Sequence, residues 1–300
     1  MKTKIKISAG ERIFDVFNNI FMLLMLVVTL YPMLYVAFAS FSDPGEFAKV
    51  DSFLLRPAGF SLEAYKAVFK MSNIGIGFRN TAFYLAAGTL LSMILTVFGA
   101  YALSKQDFYL RRPIMILLTV TMFFSGGMIP TYLVVNHMHM TDTILAVLIP
   151  GCISTYNLIV MRTAFEGIPV SLIESAEMDG ANQFTIMMRI VVPLSAPTLA
   201  TITLFYAVGR WGDWYSALVY LQGRRDLYPL QMFLREMLVK GDMTDPSYVS
   251  AISTSQSASY LLNQVVKYAT IVVTTLPILM VYPFLQRYFV KGVMIGAIKE

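Results

Sequence analysis

Charged residues are scarce in this 300-residue chain: they account for 14% of it, against about 25% in soluble domains, while 57% of its residues are hydrophobic. The mean hydropathy is +0.64. This composition excludes an ordinary soluble domain and indicates a membrane protein. The net charge of +5 would suggest nucleic-acid binding in a soluble protein. In a membrane protein, lysine and arginine more often mark cytoplasmic loops, so nucleic acid is not an expected partner.

Metal-ligating and redox-active side chains are also rare. The single cysteine, Cys152, lies in an apolar run, which excludes an intrachain disulfide and a cysteine-based metal site. The two histidines, His137 and His139, have one carboxylate nearby, at Asp142, and this set is too small to hold a metal ion. We therefore expect this chain to bind no metal and no cofactor.

The chain also lacks the residue patterns that bind ATP or carry out catalysis. It has no G-x-x-x-x-G-K-[ST] loop, so it cannot itself bind ATP in the manner of a P-loop ATPase, and any ATP-driven process would need a partner. It shows no paired carboxylates and no nucleophile with a base, so we expect no enzyme activity. An ion-coupled secondary transporter is an alternative class of membrane protein. Such a transporter needs intramembrane ionisable residues, and the apolar runs hold few besides Arg210 and Asp213.

Six long apolar runs predict an all-α membrane protein with six transmembrane helices. The runs are 16–39, 80–104, 113–136, 142–161, 194–221 and 268–290. They are continuously apolar, without the alternating ten-residue segments of a barrel. A signal peptide has an apolar region of only about 7–15 residues, so the longer first run predicts an uncleaved span.

Lysine and arginine counts predict the orientation of these spans. The N-terminal segment holds four, the second-to-third connection three, the fourth-to-fifth two and the C-terminal tail three, whereas the third-to-fourth connection holds none. Both termini are therefore expected in the cytoplasm, with segments 40–79 and 222–267 outside. The predicted division is a cytoplasmic segment 1–15, a transmembrane domain 16–290 and a cytoplasmic tail 291–300.

The two external segments contain apolar residues at helical spacing, in SLEAYKAVF and LYPLQMFLREML. Amphipathic helices of this kind either cap the outer mouth of a membrane protein or lie on the membrane surface. The pattern does not distinguish the two.

A polar stretch, SLIESAEMDGAN at 171–182, separates the fourth and fifth apolar runs. Pro169 just before the stretch, together with the capping-box spacing of Ser171 and Glu174, predicts a helix that starts at Ser171. Gly180 suits a left-handed helix stop, and Asn182 can cap a second helical segment. We expect a helix, a glycine turn and a helix across the cytoplasmic ends of spans four and five.

The first of these helices has an apolar face and acidic side chains. Leu172, Ile173 and Ala176 share the apolar face, and the carboxylates belong to Glu174, Glu177 and Asp179. Such an element can dock on a partner and form ion pairs with it. A self-capped surface loop accounts for the same pattern.

An aromatic and charged cluster, RWGDWY at 210–215, lies in the fifth apolar run. A charge at mid-membrane costs about 2.5–3.5 kcal/mol, so Arg210 and Asp213 are expected to face a cavity, a partner or the interface. Trp211 and Trp214, three residues apart, are predicted to share a helix face and, with Tyr215, to offer a surface for a sugar. The alternative is an interfacial aromatic belt with a snorkelling arginine.

Weaker signals lie in spans three and four. Ser125-Gly126-Gly127 and Pro130 can break the third helix, and Ser154-Thr155-Tyr156-Asn157 gives the fourth a polar patch. Broken helices and polar patches occur at transport sites, but small and polar residues also serve helix packing, which we favour here.

Several stretches resemble one family of transport proteins. IPVSLIESAEMDGA at 168–181, followed by IVVPL at 190–194, resembles the EAA loop of bacterial ABC importer permease subunits, with Ser175 where that family usually has alanine. MFFSGGMIPTYLVV at 122–135, RWGDW at 210–214 and QRYFVKG at 286–292 resemble the carbohydrate-importer branch, in particular permeases for complex oligosaccharides.

The resemblance implies a type I ABC importer permease fold in the bacterial cytoplasmic (inner) membrane. The loop 169–193 would hold a coupling helix that sits in a cleft on an ATPase subunit, and the residues implied in coupling are Ser171, Leu172, Glu174, Ala176, Asp179 and Gly180. The implied partners are a second homologous permease subunit, two cytoplasmic ATPase subunits that bind ATP and Mg, a solute-binding protein outside the membrane, and a carbohydrate. The C-terminal tail either docks on the ATPase or frays.

Overall fold

The computed structural model describes residues 9–50, 53–239 and 261–280, which form helices joined by turns and one isolated bridge between Ser42 and Phe60. In chain order the helices are α1 (Ala9–Ser40), α2 (Pro44–Phe47), α3 (Glu63–Lys70), α4 (Ser72–Ser104), α5 (Arg111–Phe123), α6 (Met128–His137), α7 (Ile144–Leu148), α8 (Thr155–Glu166), α9 (Val170–Met178), α10 (Gln183–Ile186), α11 (Val192–Leu194), α12 (Ala196–Trp211), α13 (Tyr215–Tyr220), α14 (Leu230–Val239) and α15 (Leu261–Met280). A π-helical segment, Met187–Val191, joins α10 to α11, and a 3₁₀ turn, Arg225–Leu227, precedes α14.

The chain divides into two compact units, and the first comprises Met1–Met71 with Asp242–Thr274. Its longest helix, α1, has 32 residues, and a membrane span needs about 20. The apolar side chains along α1 are mostly exposed, as expected of a helix that faces lipid or a partner. The first apolar run is therefore confirmed as one continuous helix.

The segment after α1 is ordered by short polar contacts. The carboxylate of Asp43 accepts hydrogen bonds from the first-turn amides of α2, and Ser40 Oγ lies 2.8 Å from the hydroxyl of Tyr65 in α3. Burial raises the pKa of that tyrosine hydroxyl. Helix α3 has Ala64 and Val68 buried, and it confirms the helix predicted for SLEAYKAVF.

The second unit, Ser72–Gly241 with Thr275–Glu300, is built around α4. This helix has 33 residues and is about 50 Å long at 1.5 Å per residue. Helices α8, α12 and α14 pack against it. It starts at Ser72 rather than at Asn80 because its first turns are covered by protein: Ile74 is buried, and Gly77 lies directly under Leu230 of α14. Helix α14 thus confirms the helical pattern of LYPLQMFLREML and packs on protein.

Two of the predicted spans are interrupted. The third apolar run forms α5 and α6, bent by 118° at a break that contains Ser125, Gly126 and Gly127. The fourth run forms α7 and α8 on either side of Pro150-Gly151, so one continuous helix over 142–161 was a wrong prediction. Gly151 has φ +68°, a conformation that a continuing α-helix cannot contain.

By length and hydropathy, α1, α4 and α15 could each cross a membrane, and the described residues hold up to five spans if two bent helix pairs count as one span each. The second pair, Gln183–Leu194 with Ala196–Trp211, is bent by 85°. The count of six and the sides of the membrane stay predictions. Residues 281–290 of the sixth run, the C-terminal tail and most of segment 1–15 lie outside the described residues.

Candidate functional site

The predicted coupling helix is α9, and it begins earlier than the capping-box pattern indicated. Pro169 occupies the N-cap position, and the Leu172 amide donates to its carbonyl at 3.1 Å. Ser171 therefore already lies inside the helix, and no side chain caps the first turn. The predicted start was wrong because the backbone is extended only as far as Pro169, with ψ 126°, and turns helical at Val170.

The end of α9 follows the prediction. Gly180 has φ +81°, the left-handed conformation that favours glycine. The amide of Ala181 donates to the carbonyl of Ala176 and that of Gly180 to Glu177, each at 3.0 Å, which is the Schellman pattern of a helix end. Asn182 Oδ1 then accepts from the Thr185 amide at 2.8 Å and caps α10. The helix, glycine turn and helix are confirmed.

The apolar residues of α9 divide between two faces. Ile173 and Ala176 turn inward and pack on the core of the second unit. Leu172 lies at the edge of this face, is 46% exposed and is not part of that core, so the three residues do not form one exposed docking face. Val170 and Met178 are exposed as well. The inward residues hold α9 on its own subunit, and the exposed residues are available to a partner.

Four polar side chains connect α9 and α10 to the C-terminal end of α4. The Tyr101 hydroxyl donates to Gln183 Oε1 at 2.7 Å, and Gln183 Nε2 donates to Glu177 Oε1 at 2.8 Å. Lys105 Nζ lies 3.7 Å from the same oxygen of Glu177 and 5.1 Å from the centre of the Tyr101 ring. These four residues, here called the α4–α9 ring, join elements that are far apart in sequence.

A cavity of about 630 Å³ lies beside this ring, and Glu174 lines it. Within the described part of the chain, Glu174 forms no ion pair, so its carboxylate is available to a partner. Glu166, on the wall of the same cavity, accepts from both Arg111 and Arg162, the latter at 2.6 Å. Arg162 also donates to the Leu103 carbonyl at 3.0 Å, so this cluster ties α4, α5 and α8 together.

A second cavity, of about 560 Å³, lies between the start of α8 and the end of α12. Its lining is Pro150, Gly151, Ser154, Tyr156, Asn157, Phe205, Tyr206, Gly209, Arg210 and Asp213. Its volume lies in the range of about 300–1,000 Å³ that is usual for small-molecule sites. The Tyr206 hydroxyl contacts Thr96 Oγ1 at 2.7 Å and accepts from the Ser154 amide at 3.1 Å, which fixes the wall of the cavity.

Arg210 has a defined place in this cavity. Nη1 donates to the Val147 carbonyl at 2.6 Å and Nη2 to the Leu148 carbonyl at 2.9 Å, at the C-terminal end of α7. The side chain is only 9% exposed, so it does not snorkel to an interface. Two carbonyls at a helix C-terminus stabilise a cation because that end of the helix dipole is negative.

The aromatic residues of RWGDWY lie apart from the cavity lining. Helix α12 ends at Trp211, with Gly212 as its C-cap, so Trp211 and Trp214 do not share a helix face as predicted. The ring of Trp211 is 6.3 Å from that of Phe78, and Trp214 lies under Arg235 at 4.9 Å. Tyr215 packs edge-on against Trp214 at 5.9 Å.

Asp213 is the member of this motif that joins Arg210 in the cavity. It lines the cavity and accepts a hydrogen bond from the Ser216 amide, in the first turn of α13, at 3.0 Å. Helix α12 ends with Gly212 as its C-cap, and the Asp213 carboxylate binds the next helix directly after this break. Arg210 and Asp213 are therefore brought together, whereas the three aromatic rings are not.

Sequence reasoning missed the α4–α9 ring and underrated the polar patch 154–157. Glu177 was noted only as an exposed carboxylate, and nothing in the sequence pairs it with Lys105 or Gln183. Ser154, Tyr156 and Asn157 were expected mainly to serve helix packing, but they line the cavity with Arg210. The signal for the patch was its position directly after the Pro150-Gly151 break.

Comparisons with known proteins agree with this architecture. Residues 88–295 match the family described as binding-protein-dependent transport system inner membrane component. The polygalacturonan/rhamnogalacturonan transport system permease protein YtcP of Bacillus subtilis is 39% identical over 96% of this chain and 99% of its own length. Protein LplC of the same organism is 40% identical over 97% of each chain.

A solved structure is also similar. It is the crystal structure of a bacterial ABC transporter involved in the import of the acidic polysaccharide alginate, with a TM-score of 0.87 and 33% identity over 95% of this chain and all of the matched one. The all-α fold, with its broken helices, is therefore that of an ABC importer permease. From its helices, its spans and these likenesses, the chain belongs to the binding-protein-dependent transport system inner membrane components, the multi-pass permease subunits of ABC importers.

Proposed function

We propose that this chain is the permease subunit of an ATP-driven importer whose substrate is a carbohydrate, and in particular an oligosaccharide. The names of its relatives support this substrate class, since they include polygalacturonan/rhamnogalacturonan transport, arabinooligosaccharide transport and alginate import. The chain would form the translocation path together with a second, homologous permease subunit. ATP and Mg would be bound by two cytoplasmic ATPase subunits, and a solute-binding protein would deliver the sugar.

The cavity that contains Arg210 is the observation that carries the substrate proposal. It combines hydrogen-bonding groups on Ser154, Tyr156 and Asn157 with one cation and one carboxylate, which suits a ligand rich in hydroxyl groups. Within the candidate path, Arg210 and Asp213 line this cavity, whereas Trp211, Trp214 and Tyr215 lie outside its lining and stay candidates without this support.

The outward face of α9 would dock on the ATPase. Leu172 offers exposed apolar surface there, and Val170, Glu174 and Met178 are exposed on the other side of the helix. Exposed ion pairs contribute only about 0–1 kcal/mol, so the apolar contacts should carry most of the docking energy. Ser171, Ala176, Asp179 and Gly180 would act by shaping the helix and its turn. We propose that this face, like both chain termini, lies in the cytoplasm.

The test is to co-express the chain with the ATPase and permease genes beside its own, purify the complex and reconstitute it in lipid. Addition of sugar-loaded binding protein should stimulate ATP hydrolysis and sugar uptake. Leu172→Glu places a charge on the docking face and should release the ATPase, whereas Ser175→Ala on the same helix should leave the complex intact. If no ATPase co-purifies with the wild type and uptake follows an ion gradient, the chain is a secondary transporter instead.

A further inference from the structure

Helix α4 is held at its C-terminal end by the α4–α9 ring. Tyr101 comes from this end of α4, Lys105 is the residue directly after the helix, Glu177 lies in the last turns of α9, and Gln183 is the first residue of α10. The ring therefore holds both sides of the Gly180 turn. In addition, Ile173 and Ala176 pack on the hydrophobic cluster to which Tyr101 belongs. A displacement of α9 must move this end of α4 or break these contacts.

The N-terminal part of α4 is held just as firmly by a different segment. Asn80 Nδ2 donates to the carbonyls of Asp226 and Tyr228, at 2.7 and 3.0 Å. The Tyr84 hydroxyl donates to the Leu227 carbonyl at 2.9 Å. Thr81 Oγ1 accepts from the amide of Leu230, at the start of α14, at 2.8 Å. Asn80, Thr81 and Tyr84 are buried, so segment 226–230 is attached to α4 away from solvent.

Between these two attachments α4 is an unbroken helix. It contains no proline, which is the usual cause of a sharp kink. The distance from Asn80 to Tyr101 along the helix is about 30 Å at 1.5 Å per residue. Helices α8 and α12 also pack against α4, so we expect α4 to move as a rigid element.

We propose that α4 is a transmission strut: the α4–α9 ring passes the movement of the coupling helix to α4, and α4 passes it to segment 222–230. Tyr101, Lys105, Glu177 and Gln183 are thus positioning residues that set the response of a segment at the far end of the helix. The inference rests on the proposed function, since that function supplies the movement of α9. Helix α9 is already connected along the chain to α8 and α12. The proposal adds a second route for its movement, which runs through α4.

Tyr101 allows a clean test because its ring and its hydroxyl have separate roles. The ring is 9% exposed and belongs to the core cluster, whereas the hydroxyl makes the bond to Gln183. Tyr101→Phe therefore keeps the packing and removes the link. Tyr109→Phe makes the same chemical change at a tyrosine that is 92% exposed, and it serves as the matched control. Gln183→Ala, at an exposed residue, removes the same link from the other side if Tyr101→Phe fails to fold.

The experiment uses the reconstituted complex with ATPase and binding protein, in a Cys152→Ser background with Gln222→Cys as a reporter. Gln222 is exposed and lies in the segment that the strut is expected to move. The maleimide labelling rate of the reporter is compared without nucleotide and with ATP plus vanadate. Nucleotide trapping should change the labelling rate in the background protein. Tyr101→Phe and Gln183→Ala should each reduce this change by about threefold or more, and they should reduce the amount of sugar transported per ATP by a similar factor. Tyr109→Phe should match the background.

The outcomes separate the two proposals. A complex without binding-protein-stimulated ATPase activity would contradict the proposed function itself. A stimulated complex in which the reporter does not respond, or responds equally in Tyr101→Phe, Gln183→Ala and the background, would refute the strut alone.

Discussion

Arg210 crosses α4 directly over Gly88. A β-carbon at position 88 would lie 2.9 Å from Nε of Arg210 and 3.2 Å from its Cδ. The glycine therefore lets the arginine reach across α4 to the carbonyls at the end of α7, so three helices meet at one side chain. No periodic pattern of α4 indicates this role for Gly88.

Gly88→Ala should therefore destabilise the protein. An added methyl group in a packed site costs about 1–3 kcal/mol, because the neighbouring side chain or the backbone has to shift. Gly75→Ala on the same helix is the control: its β-carbon meets no atom within 4 Å, so this change should be neutral or slightly stabilising. Thermal unfolding in detergent measures both. Equal unfolding temperatures would contradict the close approach.

Arg210→Met should cost about 1–3 kcal/mol, since it leaves the carbonyls of Val147 and Leu148 without their donor in a buried place. Arg210→Lys keeps the charge but lacks the planar fork that reaches both carbonyls, so its cost should be intermediate. Folded yield and unfolding temperature measure the order of stability, which should fall from the wild type to Arg210→Lys and then to Arg210→Met. If both variants are as stable as the wild type, Arg210 does not anchor α7.

Gly180→Ala should weaken the turn after α9. With φ at +81°, an L-residue with a side chain pays about 1–2 kcal/mol at this position. The expected result is a lower unfolding temperature and reduced stimulation of the ATPase by binding protein, because the turn positions α9. The stability loss is read against Gly75→Ala, where φ is ordinary. Stimulation and stability equal to those of the wild type would show that the turn adapts without strain.

Tyr156→Ala should weaken sugar transport without preventing assembly. Tyr156 lines the cavity with Arg210 and is 54% exposed. The loss of about 1 kcal/mol of ligand contact corresponds to about a fivefold rise in KM. Trp214→Phe, outside the cavity lining, should leave KM unchanged. Uptake kinetics in proteoliposomes measure KM for both variants. A raised KM in Trp214→Phe with an unchanged KM in Tyr156→Ala would place the substrate path at the tryptophans instead.

Glu166→Gln should reduce stability by about 1 kcal/mol, because Arg111 and Arg162 both depend on that carboxylate in a partly buried cluster. Glu46→Gln removes the exposed pair with Lys49 and should have almost no effect. Unfolding temperatures at low and high salt measure the difference. The cost of Glu166→Gln should shrink as salt is added, since ions screen the pairs it breaks. A cost that does not change with salt would contradict an electrostatic role.

Features that depend on neighbouring residues could be read from the sequence. The Gly180 stop and the Asn182 cap require groups within a few positions, and the helices α1 and α14 follow from composition and periodicity. The wrong predictions concern helix ends, where neighbouring residues favour different positions. Helix α9 starts after Pro169 rather than at Ser171, and α12 ends at Gly212, before Trp214.

By itself, the sequence determined that this is a membrane protein of helices, with a capped polar loop between two apolar runs. Whether those runs form whole or broken helices, and which side chains meet, was decided by the tertiary structure. Tyr101 bonds to Gln183 across 82 positions and Arg210 to Val147 across 63. Such contacts depend on how α4, α8 and α12 pack against each other, because residues that are distant in sequence can form a hydrogen bond only when helix packing brings them together.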